Sequence, residues 1–277
     1  VVVSGAPPIS TTWVKDGDRW KTNVWQGSDD LGTSKRNISQ LFLDDKLLTG
    51  ARFPNVEHEF DQPDHSFWWT STKAYRWANS EEHSNYRIDG LDDIQGSVKG
   101  AVWYGVGQGP ILVKDHQQGS DVVQTAKNPR QQTSNGVIGN TGGWLMGALP
   151  LLDADREWFF DKETGDLYLK LADGIDPNEQ RIIARTNQYG PGESGAGLKI
   201  LNSDGWIFDG INLFATSLSI NNTRDLEFKN SKVLHPGYTN YMLSDTSWPG
   251  SNIIRSSSRL KFTNNEFAYN YGTLIEY

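Results

Sequence analysis

A motif that occurs three times in the C-terminal third of the chain constrains the fold more than any other feature. Its copies span residues 206–213, 226–233 and 260–267. Equivalent positions hold Phe208, Phe228 and Phe262, then Gly210, Asn230 and Asn264, then Leu213, Val233 and Phe267. The steps between copies are 20 and 34 residues. Such self-similarity is typical of solenoids, in which each unit buries its apolar face only against its neighbours.

Strand alternation assigns a direction to each position of the motif, because successive side chains face opposite sides of a strand. The residues predicted to stack inward are Trp206, Phe208, Leu226, Phe228, Leu260 and Phe262. Gly210, Asn230 and Asn264 then mark a bend, where asparagine tolerates a left-handed backbone and can bond to its counterpart as a ladder. The pattern predicts a parallel β-helix, and the handedness of parallel crossovers favours a right-handed one.

Outward positions of the motif fall into columns that hold opposite charges on adjacent coils. The predicted pairs are Glu227 with Lys261, Asp209 with Lys229, and Lys232 with Glu266. Neighbouring strands lie about 4.8 Å apart, so each pair can form an ion pair across strands. These carboxylates therefore have a structural explanation, which we prefer to a catalytic one.

The remainder of the chain also predicts strands, since short β-branched and aromatic runs alternate with Gly, Asn, Asp and Pro. Residues 41–48 and 157–170 indicate hairpins, whereas the polar stretch 117–143 suggests an exposed loop or ribbon. The twenty-residue spacing is lost in this part. We therefore predict an all-β chain with a first β-helix strand in residues 1–18, an inserted β-sandwich or barrel-like domain in 19–185, and β-helix coils in 186–277.

The amino-acid composition limits the kinds of molecule that this protein is expected to bind. A formal charge of -8 and a pI near 5.1 give no electrostatic footprint for nucleic acid or an anionic membrane. The sequence has no cysteine and no apolar run of membrane-spanning length. Its five histidines show no metal-ligand spacing, so neither a metal nor a cofactor is predicted. The 11 Trp, 10 Tyr and 11 Phe serve either core packing or sugar stacking.

Two segments carry a family resemblance. Residues 41–55 (LFLDDKLLTGARFPN) resemble the strand, turn and Ala-Arg-aromatic-Pro-Asn signature of right-handed parallel β-helix carbohydrate-active enzymes. Residues 152–161, followed by 164–169, are similar to the second signature of that group, although Asp155-Arg156 replaces a common Pro-Gly. The resemblance implies coils interrupted early by a β-rich insert.

The same resemblance implies a glycoside hydrolase that acts on a plant or algal polysaccharide or oligosaccharide. Related β-helices include polysaccharide lyases, and a non-catalytic glycan-binding β-helix of the adhesin type is a further alternative. Catalytic residues of the group generally lie on later coils, so none is carried over to this chain. For a lyase, His235, Tyr238 and Arg255 are the residues that could supply a base and a charge neutraliser.

Candidate site residues come from the acids and from the long step between the second and third motif copies. Glycosidases use two carboxylates, and acids on adjacent coils approach the separation required. The candidate acids are Asp245, Glu266 and Glu276. The extra residues of the long step form a loop, and loops on a rigid scaffold commonly carry binding residues. The candidate sugar-binding residues of this loop are His235, Tyr238, Tyr241 and Trp248.

Partners and location follow from these hypotheses. A carbohydrate substrate is expected, and binding to nucleic acid or membrane is not. Residues 273–277 predict an uncapped strand, and solenoids require capped ends. A second fragment or chain that completes the β-helix is therefore expected, as is an extracellular or periplasmic location.

Overall fold

The computed structural model describes residues 1–25, 37–56, 72–79, 83–105, 109–126, 138–187, 196–237, 242, 252–270 and 275–276. This part of the chain is almost entirely β, with short 3-10 helices at Leu91–Asp93, Leu149–Leu151 and Pro177–Glu179. Among these residues, no helix is long and apolar enough to cross a membrane. The all-β prediction is confirmed.

The described residues form 26 strands. In chain order they are β1 Val2–Ser4, β2 Val14–Asp16, β3 Arg19–Asn23, β4 Asn37–Leu43, β5 Lys46–Leu47, β6 Thr49–Gly50, β7 Arg52–Phe53, β8 Thr72–Asn79, β9 His83–Ile88, β10 Val102–Gly105, β11 Gly109–His116, β12 Val122–Ala126, β13 Ile138–Met146, β14 Glu157–Asp161, β15 Asp166–Leu169, β16 Ile182–Asn187, β17 Ala196–Leu201, β18 Ile207–Asp209, β19 Asn212–Phe214, β20 Ser217–Asn221, β21 Arg224–Lys229, β22 Lys232–Leu234, β23 Asn252–Arg255, β24 Ser258–Thr263, β25 Glu266–Ala268 and β26 Ile275–Glu276.

The repeated motif forms three parallel sheets. The first parallel sheet has the order β17-β20-β23-β26, the second β18-β21-β24, and the third β1-β19-β22-β25. From β17 onward the chain visits the first, second and third sheets in the same order on every pass, and we call one pass a coil. Phe208 pairs with Phe228, and Phe228 with Phe262, so the alignment predicted by the sequence is confirmed.

The three sheets enclose an apolar core. Phe228 is fully buried at its centre, with ring centroids 6.4 Å from Phe208 and 6.2 Å from Phe262. Trp206 was predicted to point inward with them, and that prediction is wrong, because it is 57% exposed. It precedes β18, the edge strand of the second sheet, so a coil supports it on one side only.

The corners between sheets require left-handed backbone at equivalent positions of successive coils. Positive φ angles recur in four sets, which are Asn202, Asn222 and Ser256; Gly205, Asp225 and Arg259; Gly210, Asn230 and Asn264; and Ala215, His235 and Tyr269. The bend predicted at the third set is confirmed. Its side chains form a ladder on the exposed surface, in which Asn264 Nδ2 donates to Asn230 Oδ1 and Asn230 Nδ2 to Asp209 Oδ1, both over 2.8 Å.

The predicted charge columns are also present. Lys261 Nζ lies 3.0 Å from Glu227 Oε1, Lys232 Nζ 2.8 Å from Glu266 Oε2, and Lys229 Nζ 3.6 Å from Asp209 Oδ2. All three pairs lie on solvent-facing sides of the second and third sheets. Such exposed pairs stabilise a protein only slightly.

Strands β2–β16 form the unit that we call the intervening unit. Strands β10, β11, β12, β9, β8 and β13 close into a six-stranded barrel through the pairing of β13 with β10, so the barrel-like alternative of the prediction is the one observed. Both predicted hairpins are present, as β4 with β5 and β14 with β15. Of the exposed loop or ribbon predicted for 117–143, β12 and β13 are instead barrel strands, and Val123 and Thr125 of β12 are buried. Residues 127–137 lie outside the described residues.

The two signature segments of the intervening unit pack against each other. Thr49 pairs with Glu157 in register, and Ala51 N donates to Trp158 O over 2.8 Å. Asn55 Nδ2 also donates to Asp153 Oδ1 over 2.8 Å. The signatures are therefore one structural contact made by two distant stretches of sequence.

A second apolar contact joins the intervening unit to the coils. Phe42 and Ile183, on the three-stranded sheet β16-β4-β5, pack with Ala6, Ala215 and Phe214. Met242, from the long step between β22 and β23, is buried in the core of the intervening unit. A Cβ atom on Gly50 would lie 2.4 Å from Met242 Cε, so a larger residue at this position would require the methionine side chain to shift.

Candidate functional site

The outer face of the first parallel sheet differs from the other outer faces because it is covered. Leu218 and Ile220 face the core, so Ser217 and Ser219 point outward. Ser219 is nevertheless only 1% exposed, and Ser217 is buried too. Outward residues of the second and third sheets are mostly solvent-exposed.

One row of residues across this face contains polar side chains. Lys199, Ser219, Ile253 and Glu276 are register partners on β17, β20, β23 and β26. With strands about 4.8 Å apart, the Glu276 position lies roughly 10 Å from Ser219. Ser219 Oγ is buried and has no hydrogen-bond partner within the described part of the chain. The row therefore combines an exposed ammonium group, a buried hydroxyl group and a carboxylate position.

His235 lies at the corner that leads from the third sheet to the first. Its ring centroid is 5.0 Å from that of Phe42 and 5.4 Å from that of Phe214, and the ring stacks on Tyr269 at 4.7 Å and 14°. Burial lowers the pKa of the imidazole to about 4, so His235 is neutral at pH 7. In this arrangement the His235 ring is packed between the coils and the intervening unit. Tyr269, which is 42% exposed, leaves an aromatic ring accessible to solvent.

Sequence reasoning missed the basic group beside this corner. Arg185 Nη1 donates to Gln40 Oε1 over 3.1 Å, to Pro236 O over 2.9 Å and to His235 O over 3.5 Å. Arg185 and Gln40 are opposite each other on β16 and β4. No local pattern could reveal this cluster, because its members come from three distant parts of the chain.

The predicted acids are separated by the fold. Glu266 lies on the third sheet, exposed and paired with Lys232, whereas Glu276 lies on the first sheet. Arg255, the neutraliser considered for a lyase, ends β23 in register with Asn221. Asp245, Tyr238, Tyr241 and Trp248 lie outside the described residues, as does the side chain of Glu276.

A second missed group is Glu157, a buried carboxyl at the start of β14. Its Oε2 accepts from the backbone N–H groups of Asp153 and Ala154, each over 3.3 Å, while Oε1 has no partner among the described residues. Burial, with a smaller contribution from the nearby Asp153 carboxylate, raises the pKa of Glu157 to about 8. Glu157 lies in the contact between the two signatures, away from the first parallel sheet. No group of three or more His, Asp or Glu side chains suited to a metal ion occurs in the described ranges.

Comparisons with known proteins find a similar fold but no matching family. No protein family model matches the chain, and no curated protein matches it. A solved structure named "Glycoside hydrolase" superposes with a TM-score of 0.51 and 16% sequence identity, over 100% of this chain and 49% of that one. The chain thus spans about half the length of that structure. At this identity the likeness shows a shared fold.

Proposed function

We propose that this chain belongs to a glycoside hydrolase built on a right-handed parallel β-helix, with its glycan bound at the β26 edge of the first parallel sheet, where Glu276 stands. The observation that carries the proposal is the row of Lys199, Ser219 and Glu276 on that sheet, in which Lys199 is exposed and Ser219 is buried. Catalytic groups require a site that excludes bulk water yet holds carboxyl and hydroxyl groups in fixed positions. The cyclic order of three parallel sheets supports the β-helix, and the likeness to a structure named glycoside hydrolase supports the fold.

Glu276 is the acid that we assign to this chemistry. It stands on the first sheet, one strand from Ile253, where a carboxyl on a neighbouring coil would come close to the separation that retaining glycosidases use. Asp245 stays a candidate for the same face on sequence grounds. A plant or algal polysaccharide stays the expected substrate from the family resemblance, and the second polypeptide expected from the sequence is not part of the proposal.

A location outside the cytoplasm accompanies the proposal. Polymeric glycans do not cross membranes, so an enzyme that cleaves them has to meet them outside the cell or in the periplasm. Growth of the source cells on a polysaccharide, followed by detection of the protein in medium, periplasm and cytoplasm, tests this location. Confinement to the cytoplasm would contradict it.

The activity is tested by incubating the protein with neutral and uronate-containing polysaccharides. New reducing ends without absorbance from unsaturated uronate indicate a hydrolase, and both signals together indicate a lyase. Binding with neither signal indicates a glycan-binding protein and rejects the proposal.

Glu276→Gln is the matching variant. We expect kcat to fall about 100-fold or more, as for loss of a general acid or base, with little change in glycan binding. Glu266→Gln is the control, because Glu266 lies on another sheet and pairs with Lys232. Equal activity of the Glu276→Gln variant and the unmodified protein would reject the assignment.

A further inference from the structure

The junction between the intervening unit and the coils holds a cation whose partners among the described residues are all neutral. Arg185 donates to a side-chain amide and to two backbone carbonyls, all through Nη1. No carboxylate lies within ion-pair distance of it in the described part of the structure. Burial lowers the pKa of the Arg185 guanidinium to about 10, which still leaves it charged at neutral pH.

This lack of an acid partner contrasts with other basic side chains of the protein. Arg181, one residue before β16 and exposed, pairs with Asp45. Lys170 pairs with Asp18, and Lys232 with Glu266. Arg185 is half-buried, and a cation partly withdrawn from water needs a counter-charge more than the exposed Arg181 and Lys232 do. At Arg185 the protein supplies none among the described residues.

Gln40 adds a second unsatisfied donor at the same place. It is fully buried, and its Nε2 has no hydrogen-bond partner within the described residues. The amide orientation is fixed, because Oε1 accepts from Arg185. Arg185 Nε and Nη2 have no acceptor in the described ranges either. The described part of the junction therefore presents several N–H donors and a positive charge, and it supplies no acceptor for them.

We propose that Arg185 and Gln40 form a binding site for an acidic group of a glycan, either the carboxylate of a uronic acid residue or a sulfate ester. Guanidinium and amide N–H groups match the paired oxygens of both groups. His235 links this site to an aromatic surface, since its carbonyl accepts from Arg185 and its ring stacks on Tyr269. The identification of the ligand as a glycan rests on the proposed function; the affinity for an acidic group does not.

The probes are galacturonate oligomers, galactose 6-sulfate and galactose, titrated by calorimetry into the whole protein at fixed ionic strength. We expect binding of one or both acidic sugars and none of galactose at the same concentration. Preference for the galacturonate oligomers assigns a carboxylate, and preference for galactose 6-sulfate assigns a sulfate ester. Equal affinity for galactose and the acidic sugars would overturn the proposal.

Gln40→Glu is the decisive variant, because it places a carboxylate beside Arg185 without changing side-chain size. The new carboxylate would serve as the internal counter-charge, so affinity for the acidic sugar should fall about tenfold or more while the melting temperature rises. Retained affinity in this variant would overturn the proposal, since Arg185 would then only pin the backbone of residues 235 and 236.

Arg185→Met should also lose the affinity, and Arg181→Met is its control, because it removes the same charge from an exposed residue that pairs with Asp45. Equal losses in the two variants would mean a general charge effect and would overturn the site. A protein that cleaves no glycan but binds acidic sugars in an Arg185-dependent manner would reject the proposed hydrolase and retain this site.

Discussion

At the scale of single residues, Glu157 shows how burial changes the chemistry of a side chain. Its carboxyl lies in the contact between the two signature segments, where backbone N–H groups of the described residues satisfy one oxygen only. The folded protein therefore favours the protonated form, whereas the unfolded chain ionises near the ordinary pKa of 4.5. The folded pKa is the higher one, so the contribution of Glu157 to stability is greatest below about pH 4.5 and falls as the pH rises to about 8.

We expect Glu157→Gln to flatten this pH dependence. Between pH 4.5 and 8, the free energy of unfolding of the unmodified protein should fall by up to about 5 kcal/mol, while that of the variant stays nearly constant. Urea unfolding at a series of pH values measures both. Glu163→Gln, at the exposed turn of the same hairpin, is the control and should leave the profile unchanged. Parallel profiles for Glu157→Gln and the unmodified protein would show that Glu157 ionises normally.

Arg156 is the second residue at which local structure predicts an effect. It stands at the turn that precedes β14, and its φ is 63°. Arg156→Gly should stabilise the protein by about 1 kcal/mol, because glycine adopts this conformation without a Cβ clash. Arg156→Ala retains the Cβ and should give no gain. Urea midpoints compare the two, and equal midpoints would show that the backbone at this turn is not strained.

At the scale of elements, the corners explain why the repeat contains asparagine. Asn230 has a φ of 51°, and its side chain bonds both to Asp209 on the preceding coil and to Asn264 on the following one. The residue thus satisfies a backbone requirement and a side-chain requirement together. Phe228 at the centre of the stack contributes burial, but the corner fixes where each strand ends.

Two substitutions at Asn230 should separate these requirements. Asn230→Gly keeps the left-handed backbone and loses the ladder, so we expect a cost of about 1 kcal/mol. Asn230→Ala loses both and should cost about 2 kcal/mol or more. Thermal unfolding measures the difference. A glycine variant that is less stable than the alanine variant would contradict the role of the corner.

At the scale of the whole molecule, the apolar contact at Phe42 joins two differently built parts. Its ring lies 4.9 Å from Phe214 and 5.0 Å from His235, so it is surrounded by coil residues although it belongs to β4. Met242 makes the reciprocal contact, from the long step between coils into the core of the intervening unit. These contacts predict that the two parts unfold together.

Phe42→Ala should therefore remove about 3 to 5 kcal/mol and also split the unfolding transition. Tryptophan fluorescence and far-UV circular dichroism, measured through the same urea series, should give different midpoints in the variant and equal midpoints in the unmodified protein. Phe159→Ala, in the intervening unit and outside this contact, should lower stability without separating the probes. Coincident transitions in Phe42→Ala would mean that other contacts maintain the coupling.

The sequence by itself determined the repeat, the register of Phe208, Phe228 and Phe262, the charge columns and one set of corners. Each of these is a contact between residues 20 or 34 positions apart, and a solenoid converts such fixed offsets directly into neighbours. The three other corner sets follow the same offsets, but residues as different as Ala215, His235 and Tyr269 conceal them.

Only the tertiary structure showed which outer face is covered, that the Glu157 carboxyl is buried, and that Arg185 bonds to Gln40 and Pro236. Arg185 is 145 residues from Gln40 and 51 from Pro236, and the contact forms because the intervening unit packs on a corner of the coils. This packing depends on the shape and burial of whole surfaces. The spacing of residues along the chain gives no signal for either property. The repeat therefore predicted the scaffold, whereas the candidate site arises where the scaffold meets a unit that does not share its period.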